Sequence, residues 1–248
     1  MFFYEIFDEH LKTEKINYKI QYIETIESTN QYSWNLITKN IKNATVVITK
    51  NQTNGKGQRE NKWFSSPNKS LTFSIIMKAN KKYDEMLSLK TGISVIDGIK
   101  KNTSIDCHLK WPNDIMINEK KLGGILIEKK KDNIVIGIGI NVNEDLEHIN
   151  PLVKKYSTSL KIMSNLSIQL EKLLANILNE FEYNYYQKNY KKIIKTWEKN
   201  CCHINKNITF NKDYKIISGK FAGLANNGNA IINIDGEKHT MSGGIINL

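Results

Sequence analysis

The sequence predicts an α+β protein: a mixed sheet with helices over residues 1–199, followed by a small all-β unit over residues 200–248. Three observations carry this. A β-branched run at 44–50 reads as a buried strand, and 70–78 and 133–143 read as further strands. Leu166, Leu170, Leu173, Leu174, Ile177, Leu178 and Phe181 recur at the spacing of one helix face. After about residue 200 the chain changes to short strand-like runs separated by Gly/Asn turns such as "NNGN" and "IDGE".

The elements follow in order. "ESTNQYSWNLITKN" offers Ser28 and Thr29 as caps and continues as a helix. "ATVVITK" (44–50) is a strand, residues 51–69 are a polar, Gly-bearing loop, and "SLTFSIIMK" (70–78) is a second strand. Residues 83–101 read as a helix. "CHLKWPND" (107–114), "KLGGILIEKK" (121–130) and "NIVIGIGINVN" (133–143) read as three consecutive strands with short turns. The long amphipathic helix over 166–181 comes next, and Trp197 closes a following helix. "ITF", "KIISGKFAGL", "NAIINI" and "GGIINL" then make a small barrel-like β unit.

Composition narrows the function. A chain of 248 residues is long enough to bury a proper core. Its net charge of +11 invites a nucleic-acid reading, but the lysines are spread along the whole chain. Of 36 lysines and arginines, Arg59 alone is arginine, and Asn and Ile abound, a pattern of drift in an AT-rich genome. Cys107, Cys201 and Cys202 form neither a disulfide framework nor a zinc motif, which fits a reducing compartment. The N-terminus carries Glu5, Asp8 and Glu9 without the basic and apolar regions of a signal peptide, and no run reaches the ~18 apolar residues of a membrane span. A cytoplasmic protein without membrane contact is expected.

Two stretches carry chemistry. In "QTNGKGQRENKW" (52–63) a Gly-x-Gly loop uncovers backbone N–H groups, and Lys56 and Arg59 add cations, a pattern suited to an anion. It lacks the Gly-Lys-Ser/Thr of a P-loop, and alone it is a weak motif that describes a mobile hairpin better than a phosphate site. In "KWPNDIMINEKKLGGILIE" (110–128), Asn113 and Asp114 follow Pro112 at a turn, and Asp114 is an oxygen ligand of the kind Mg²⁺ takes. Lys121 precedes Gly123 and Gly124, a pair that weakens a strand unless something must lie against its backbone. A plain bulged hairpin explains that stretch equally well. "IGIGIN" lacks the third glycine and the helix of a dinucleotide fingerprint. His108 and His239 read as structural.

The ordered set "ESTN", "QTNGKGQRENKW", "KWPNDI…KKLGGIL", "IGIGINVN" and "MSGGIINL", spanning roughly residues 22–248, resembles the biotin–protein ligases, or biotin–[acetyl-CoA-carboxylase] ligases. The resemblance implies a central sheet like that of class II aminoacyl-tRNA synthetases and an SH3-like C-terminal barrel. It implies ATP and biotin as substrates, Mg²⁺ as the metal, biotinyl-5′-adenylate as intermediate, and a lysine of a biotin carboxyl carrier domain of acetyl-CoA carboxylase as acceptor. Ser28, Thr29, Asn30 and Gln52 would then bind biotin, with Gly123 and Gly124 giving it a flat strand. Lys56, Gly57, Gln58 and Arg59 would close over the adenylate, Trp63 would stack on adenine, and Asn141 would lie near the nucleoside. Lys121, Arg59 and Asp114 would carry catalysis, with Asp114 and Asn113 on the metal side. The loop reads Gly-Lys-Gly-Gln-Arg where many members have Gly-Arg-Gly-Arg, so its arginine falls one position later. About 25 residues precede "STN", too few for the winged helix-turn-helix of bifunctional members, so specific DNA binding is not expected. A lipoate ligase or octanoyltransferase of the same fold is the alternative, and a basic nucleic-acid-binding module is the non-enzymatic one.

Overall fold

The computed structural model describes residues 1–38, 43–212 and 215–247. A short helix α1 (Tyr4–His10) leads to β1 (Lys19–Ile26), α2 (Thr29–Ile37) and β2 (Thr45–Gln52). β1 and β2 pair in parallel, with α2 in the crossover between them. Ser28 caps α2 by accepting the Gln31 N–H at 3.4 Å. Residues 39–40 of the expected helix lie outside the described residues.

The 51–69 loop contains a hairpin, β3 (Gly55–Lys56) and β4 (Lys62–Trp63). β5 (Ser70–Lys78) is buried from Ser70 to Met77, as a central strand covered on both faces must be, although Ser70, Thr72 and Ser74 alternate with its apolar residues. α3 (Leu87–Asn102) follows, then β6 (His108–Lys110), β7 (Asp114–Ile117), β8 (Lys120–Lys130) and β9 (Asn133–Asn141). The expected strand over 107–114 is therefore split: residues 111–113 turn the chain and Asp114 opens β7. The seven strands are ordered β1-β2-β5-β9-β8-β7-β6.

Helices cover the sheet. α4 (Leu160–Ser164) ends at Asn165 in left-handed conformation, so α5 starts later than its periodicity predicts, at Leu170, and runs to Tyr185. Leu166 is 68 % exposed in the connection. α6 (Tyr190–Lys199) buries Trp197. α3 and α5 pack together, and Lys90 of α3, fully buried, donates to the Tyr83 carbonyl at 2.9 Å and the Tyr185 carbonyl at 3.0 Å.

The C-terminal unit is one antiparallel sheet: β10 (Asn207–Lys212), β11 (Lys215–Leu224), β12 (Ala230–Ile234), β13 (Glu237–Met241) and β14 (Ile245–Asn247). Its order is β13-β12-β11-β10-β14, and among the described residues no ladder joins β13 to β14. The expected barrel is thus an open sheet, because β12–β13 is a short hairpin that ends at the edge. Trp111 ties it to the larger sheet: its indole N–H donates to the Gly228 carbonyl at 3.2 Å, and its ring lies 6.1 Å from that of Phe210. The three cysteines are free, as their spacing predicts.

Candidate active site

Sheet order brings distant motifs to one cavity of about 200 Å³. Its floor comes from the middle of the sheet: Gln52 of β2, Thr72 of β5, Gly137–Gly139 of β9 and Gly124–Leu126 of β8. Its walls are the start of α2, the 56–63 hairpin, the 110–114 turn and residues 244–247 of the C-terminal sheet.

Of the residues singled out in the sequence, Ser28, Thr29, Asn30, Gln52, Lys56, Gly57, Gln58, Arg59, Trp63, Asn113, Asp114, Lys121 and Gly124 line this cavity. Gly123 does not. A side chain there would come within 2.6 Å of the Gly139 carbonyl, so its lack of one lets β8 and β9 approach. Asn141 lies elsewhere too: it donates its amide to the Thr158 carbonyl at 2.9 Å and lines a second cavity of about 350 Å³. Gln52, Lys62, Trp63 and Lys121 border both cavities, so the two are adjoining compartments.

The polar wall is ordered by hydrogen bonds. Gln52 Oε1 accepts the Thr29 backbone N–H at 2.8 Å and lies 3.2 Å from the Thr29 hydroxyl. Asn30 donates to Glu128 Oε2 at 2.8 Å. Across the cavity, Lys121 Nζ pairs with Asp114 Oδ1 at 2.5 Å. The lysine lies over Gly124, where an added side chain would sit 3.5 Å from Nζ. Lys121 and Asp114 keep side-chain exposures of 38 % and 23 %, so the pair stabilises the fold little and remains open to exchange partners.

The hairpin supplies the loose cations. Lys56 Nζ donates to Gln31 Oε1 at 2.7 Å. Arg59 is exposed and makes no ion pair or hydrogen bond with another described side chain. Its backbone is left-handed, φ 53° and ψ 46°, a conformation that costs a non-glycine residue about 1–2 kcal/mol. Trp63 lies flat on β9, where a side chain at Gly139 would come within 2.4 Å of its ring. Its indole nitrogen is buried with no partner among the described residues, as is the Thr72 hydroxyl on the cavity floor. A buried orphan of this kind costs about 1–3 kcal/mol and marks a place where a ligand can supply the missing bond.

Sequence reasoning missed Thr72, Gly137 and Gly139. The two glycines at strand period 2 were a signal, whereas Thr72 had none of its own, since Ser70 and Ser74 flank it at the same period in "SLTFSIIMK". Gly137 seats Asn30, whose Oδ1 would be 2.1 Å from a side chain there.

For a metal, Asp114 offers a hard oxygen at the cavity wall, and Asn113 keeps an amide oxygen while its nitrogen donates to the Ile125 carbonyl at 2.6 Å. That donor set fits Mg²⁺, which prefers a few carboxylate oxygens and takes the remainder from phosphate and water. Among the described residues the one trio at metal-ligand spacing, Asp145, Glu147 and His148, lies elsewhere, and Asp145 there is held by Lys161 at 2.8 Å. No helix among the described residues is long and apolar enough to cross a membrane.

The fold and the motifs can be compared with known proteins. The chain is 32% identical over 182 residues to a bifunctional ligase/repressor BirA of Bacillus spizizenii, covering 71% of this chain and 56% of that protein. It is 27% identical over 148 residues to the biotin–[acetyl-CoA-carboxylase] ligase of Mycobacterium tuberculosis, covering 57% and 54%. The chain spans a little over half the length of the BirA proteins of the two Bacillus species that it matches. Among solved structures, the biotin protein ligase of Aquifex aeolicus in complex with biotin and ATP superposes with a TM-score of 0.83 at 27% identity, covering 92% of this chain and 97% of that one. The model of the biotin/lipoate A/B protein ligase family matches residues 22–145, from the edge strand β1 through the cavity floor to the loop after β9, and the chain belongs to that family.

Proposed function

We propose that the protein is a biotin–protein ligase that makes biotinyl-5′-adenylate from biotin and ATP and passes the biotinyl group to a lysine of a biotin carboxyl carrier domain, that of acetyl-CoA carboxylase. The observation that carries this is the meeting, in one cavity, of a polar pocket (Thr29, Asn30, Gln52) with an opposed group of charges (Lys121, Asp114, Arg59). The first suits a neutral, hydrogen-bonding head group, the second a carboxylate approaching a phosphate.

In the first step a carboxylate oxygen of biotin attacks the α-phosphorus of ATP, the bond to the bridging oxygen breaks, and pyrophosphate leaves. Two anions must meet, and Lys121 lowers that repulsion by exchanging Asp114 for the reacting oxygens. Asp114 and Asn113 would hold Mg²⁺, which when bound would supply charge neutralisation for phosphate groups. The 56–63 hairpin, whose exposed Arg59 has no side-chain partner among the described residues, closes over the product and keeps water from the mixed anhydride. The second cavity, with Asn141 and the back of Trp63, takes the nucleoside. In the second step the neutral amine of the acceptor lysine attacks the acyl carbon, loses a proton, and AMP departs.

Incubation with biotin, MgATP and an apo carrier domain, followed by mass spectrometry, should show the mass gain of one biotinyl group on one lysine. No gain with folded protein refutes the proposal, and gain only with lipoate assigns the other branch of the family.

A further inference from the structure

Lys121 faces the cavity because β8 carries one residue too many. Asp114 of β7 stands opposite Gly124, Ile115 opposite Gly123 and Met116 opposite Lys121, so the fully buried Leu122 has no opposite number. In a regular strand, residues three apart such as Lys121 and Gly124 point to opposite faces. The extra residue makes a β-bulge that turns Lys121 onto the face of Gly124, within reach of Asp114.

A bulge interrupts the ladder, so the chain there needs other support. β9 pairs with β8 only as far as Gly123 and Ile140. At Lys121 its place is taken by residues 157–158, which return from the loop after β9. Ser157 pairs with Lys121 in parallel, and the Thr158 N–H donates to the Lys121 carbonyl at 3.0 Å. Thr158 is held in turn from the end of β9, where the buried Asn141 donates its side-chain NH₂ to the Thr158 carbonyl at 2.9 Å. The following bonds, from the Ser159 hydroxyl to the Glu144 carbonyl at 2.6 Å and from the Lys161 N–H to the Val142 carbonyl at 2.8 Å, fix the turn into α4. Among the described residues, Asn141 is thus the one side chain that bonds the backbone of Thr158 beside the bulge.

We propose that Asn141 is a positioning residue for Lys121, steadying through Thr158 the bulge that aims the lysine, an inference that rests on reading Lys121 as the cation at the reaction centre. In the ligand-free protein Asp114 also holds the Lys121 ammonium. Once the lysine leaves Asp114 for the reacting oxygens, its backbone is what keeps it aimed. A displacement of about 1 Å there slows the chemistry, while the pockets for the two substrates stay as they are. Asn141 also borders the second cavity, and a side chain that held the nucleoside directly would act on affinity instead. The two roles therefore differ in the constant they change.

Single-turnover adenylate formation, with equilibrium binding of biotin and of ATP, is measured on the parent, Asn141→Ala, Lys121→Ala and the double variant. Asn141→Ala should slow adenylate formation roughly tenfold and leave both dissociation constants within about threefold of the parent's. Lys121→Ala should slow it roughly 10²- to 10³-fold. Added to Lys121→Ala, Asn141→Ala should cost less than about twofold more, because the lysine it positions is already gone. Asn141→Leu keeps most of the side-chain volume without the donor; it should behave as Asn141→Ala does, and it carries the cycle if Asn141→Ala does not fold. A parental rate in a folded Asn141 variant, or losses that multiply in the double variant, overturns the inference alone. So does a loss of ATP affinity of about tenfold or more, which assigns Asn141 to the nucleotide. A parental rate in Lys121→Ala, or a parent that makes no adenylate, overturns the reading of the site and the inference with it.

Discussion

Replacing Arg59 by glycine should separate stability from function. The residue is exposed, left-handed at φ 53°, and free of side-chain partners among the described residues. Glycine at this position relieves about 1 kcal/mol of backbone strain in the folded state. It also gives the unfolded chain more freedom, which offsets the gain by about 0.5–1 kcal/mol. The sum is near zero, so the melting temperature should stay within about 2 °C of the parent. Retention of the adenylate should behave otherwise. A guanidinium that closes bidentately on a phosphate contributes about 1.5–3 kcal/mol, and losing it speeds release roughly 10- to 150-fold. The assay is a chase of preformed, radiolabelled biotinyl-adenylate, with labelling of bystander lysines as a second readout. Arg59→Lys keeps both the strain and the charge but not the planar fork, and should recover only part of the retention. Release from Arg59→Gly at the parental rate would refute the closing role. Full retention by Arg59→Lys would leave this lone arginine without a chemical reason. A fall in melting temperature well beyond about 4 °C would show that the side chain already holds the ligand-free loop.

Lys121→Ala should lower adenylation by roughly 10²–10³ while moving the melting temperature little, since its half-open pair with Asp114 adds little stability; an unchanged single-turnover rate removes it from the reaction. Gly139→Ala would put a methyl group within 2.4 Å of the Trp63 ring, so the indole must move by about 1 Å and nucleotide affinity should fall about tenfold or more, measured by tryptophan fluorescence. Burial holds the His203 imidazole down to about 3, with Lys110 and Lys206 pushing the same way. The unfolded chain protonates this residue below about 6.5 and the native state does not, so His203 contributes stability above that pH and loses it as pH falls toward 3. Relative to His203→Asn, the parent's urea-unfolding stability should therefore decline by about 1.4 kcal/mol per unit below pH 6.5, and parallel curves would contradict the shift.

The local pattern of the chain determined a good deal. A continuous apolar run marked β9, because a strand buried on both faces has no polar side to show, whereas β5, buried from Ser70 to Met77, alternates Ser70, Thr72 and Ser74 with apolar residues. Helical spacing marked α5, and residue types such as Lys121 before two glycines marked a segment that lines the cavity. The same local logic failed where burial was partial or a turn interrupted the period. β1 is an edge strand, half-buried with Lys19, Glu24 and Thr25 exposed, and its mixed run KIQYIETI carries no distinguishing mark. Leu166 keeps helical phase with α5 yet sits in the turn that Asn165 makes by going left-handed. What tertiary structure alone decided is who meets whom. Residues 28–30, 52, 72, 113, 114, 121, 124 and 137–139 share one cavity because β2, β5, β9 and β8 are neighbours in a sheet whose order is not the order of the chain. Period and composition act over a few residues, whereas sheet order is set by which apolar faces can be buried together across the whole domain. The glycines of β9 show the difference: as a sequence motif they resemble a failed nucleotide fingerprint, and in the fold they are the two places where Asn30 and Trp63 can lie against the sheet.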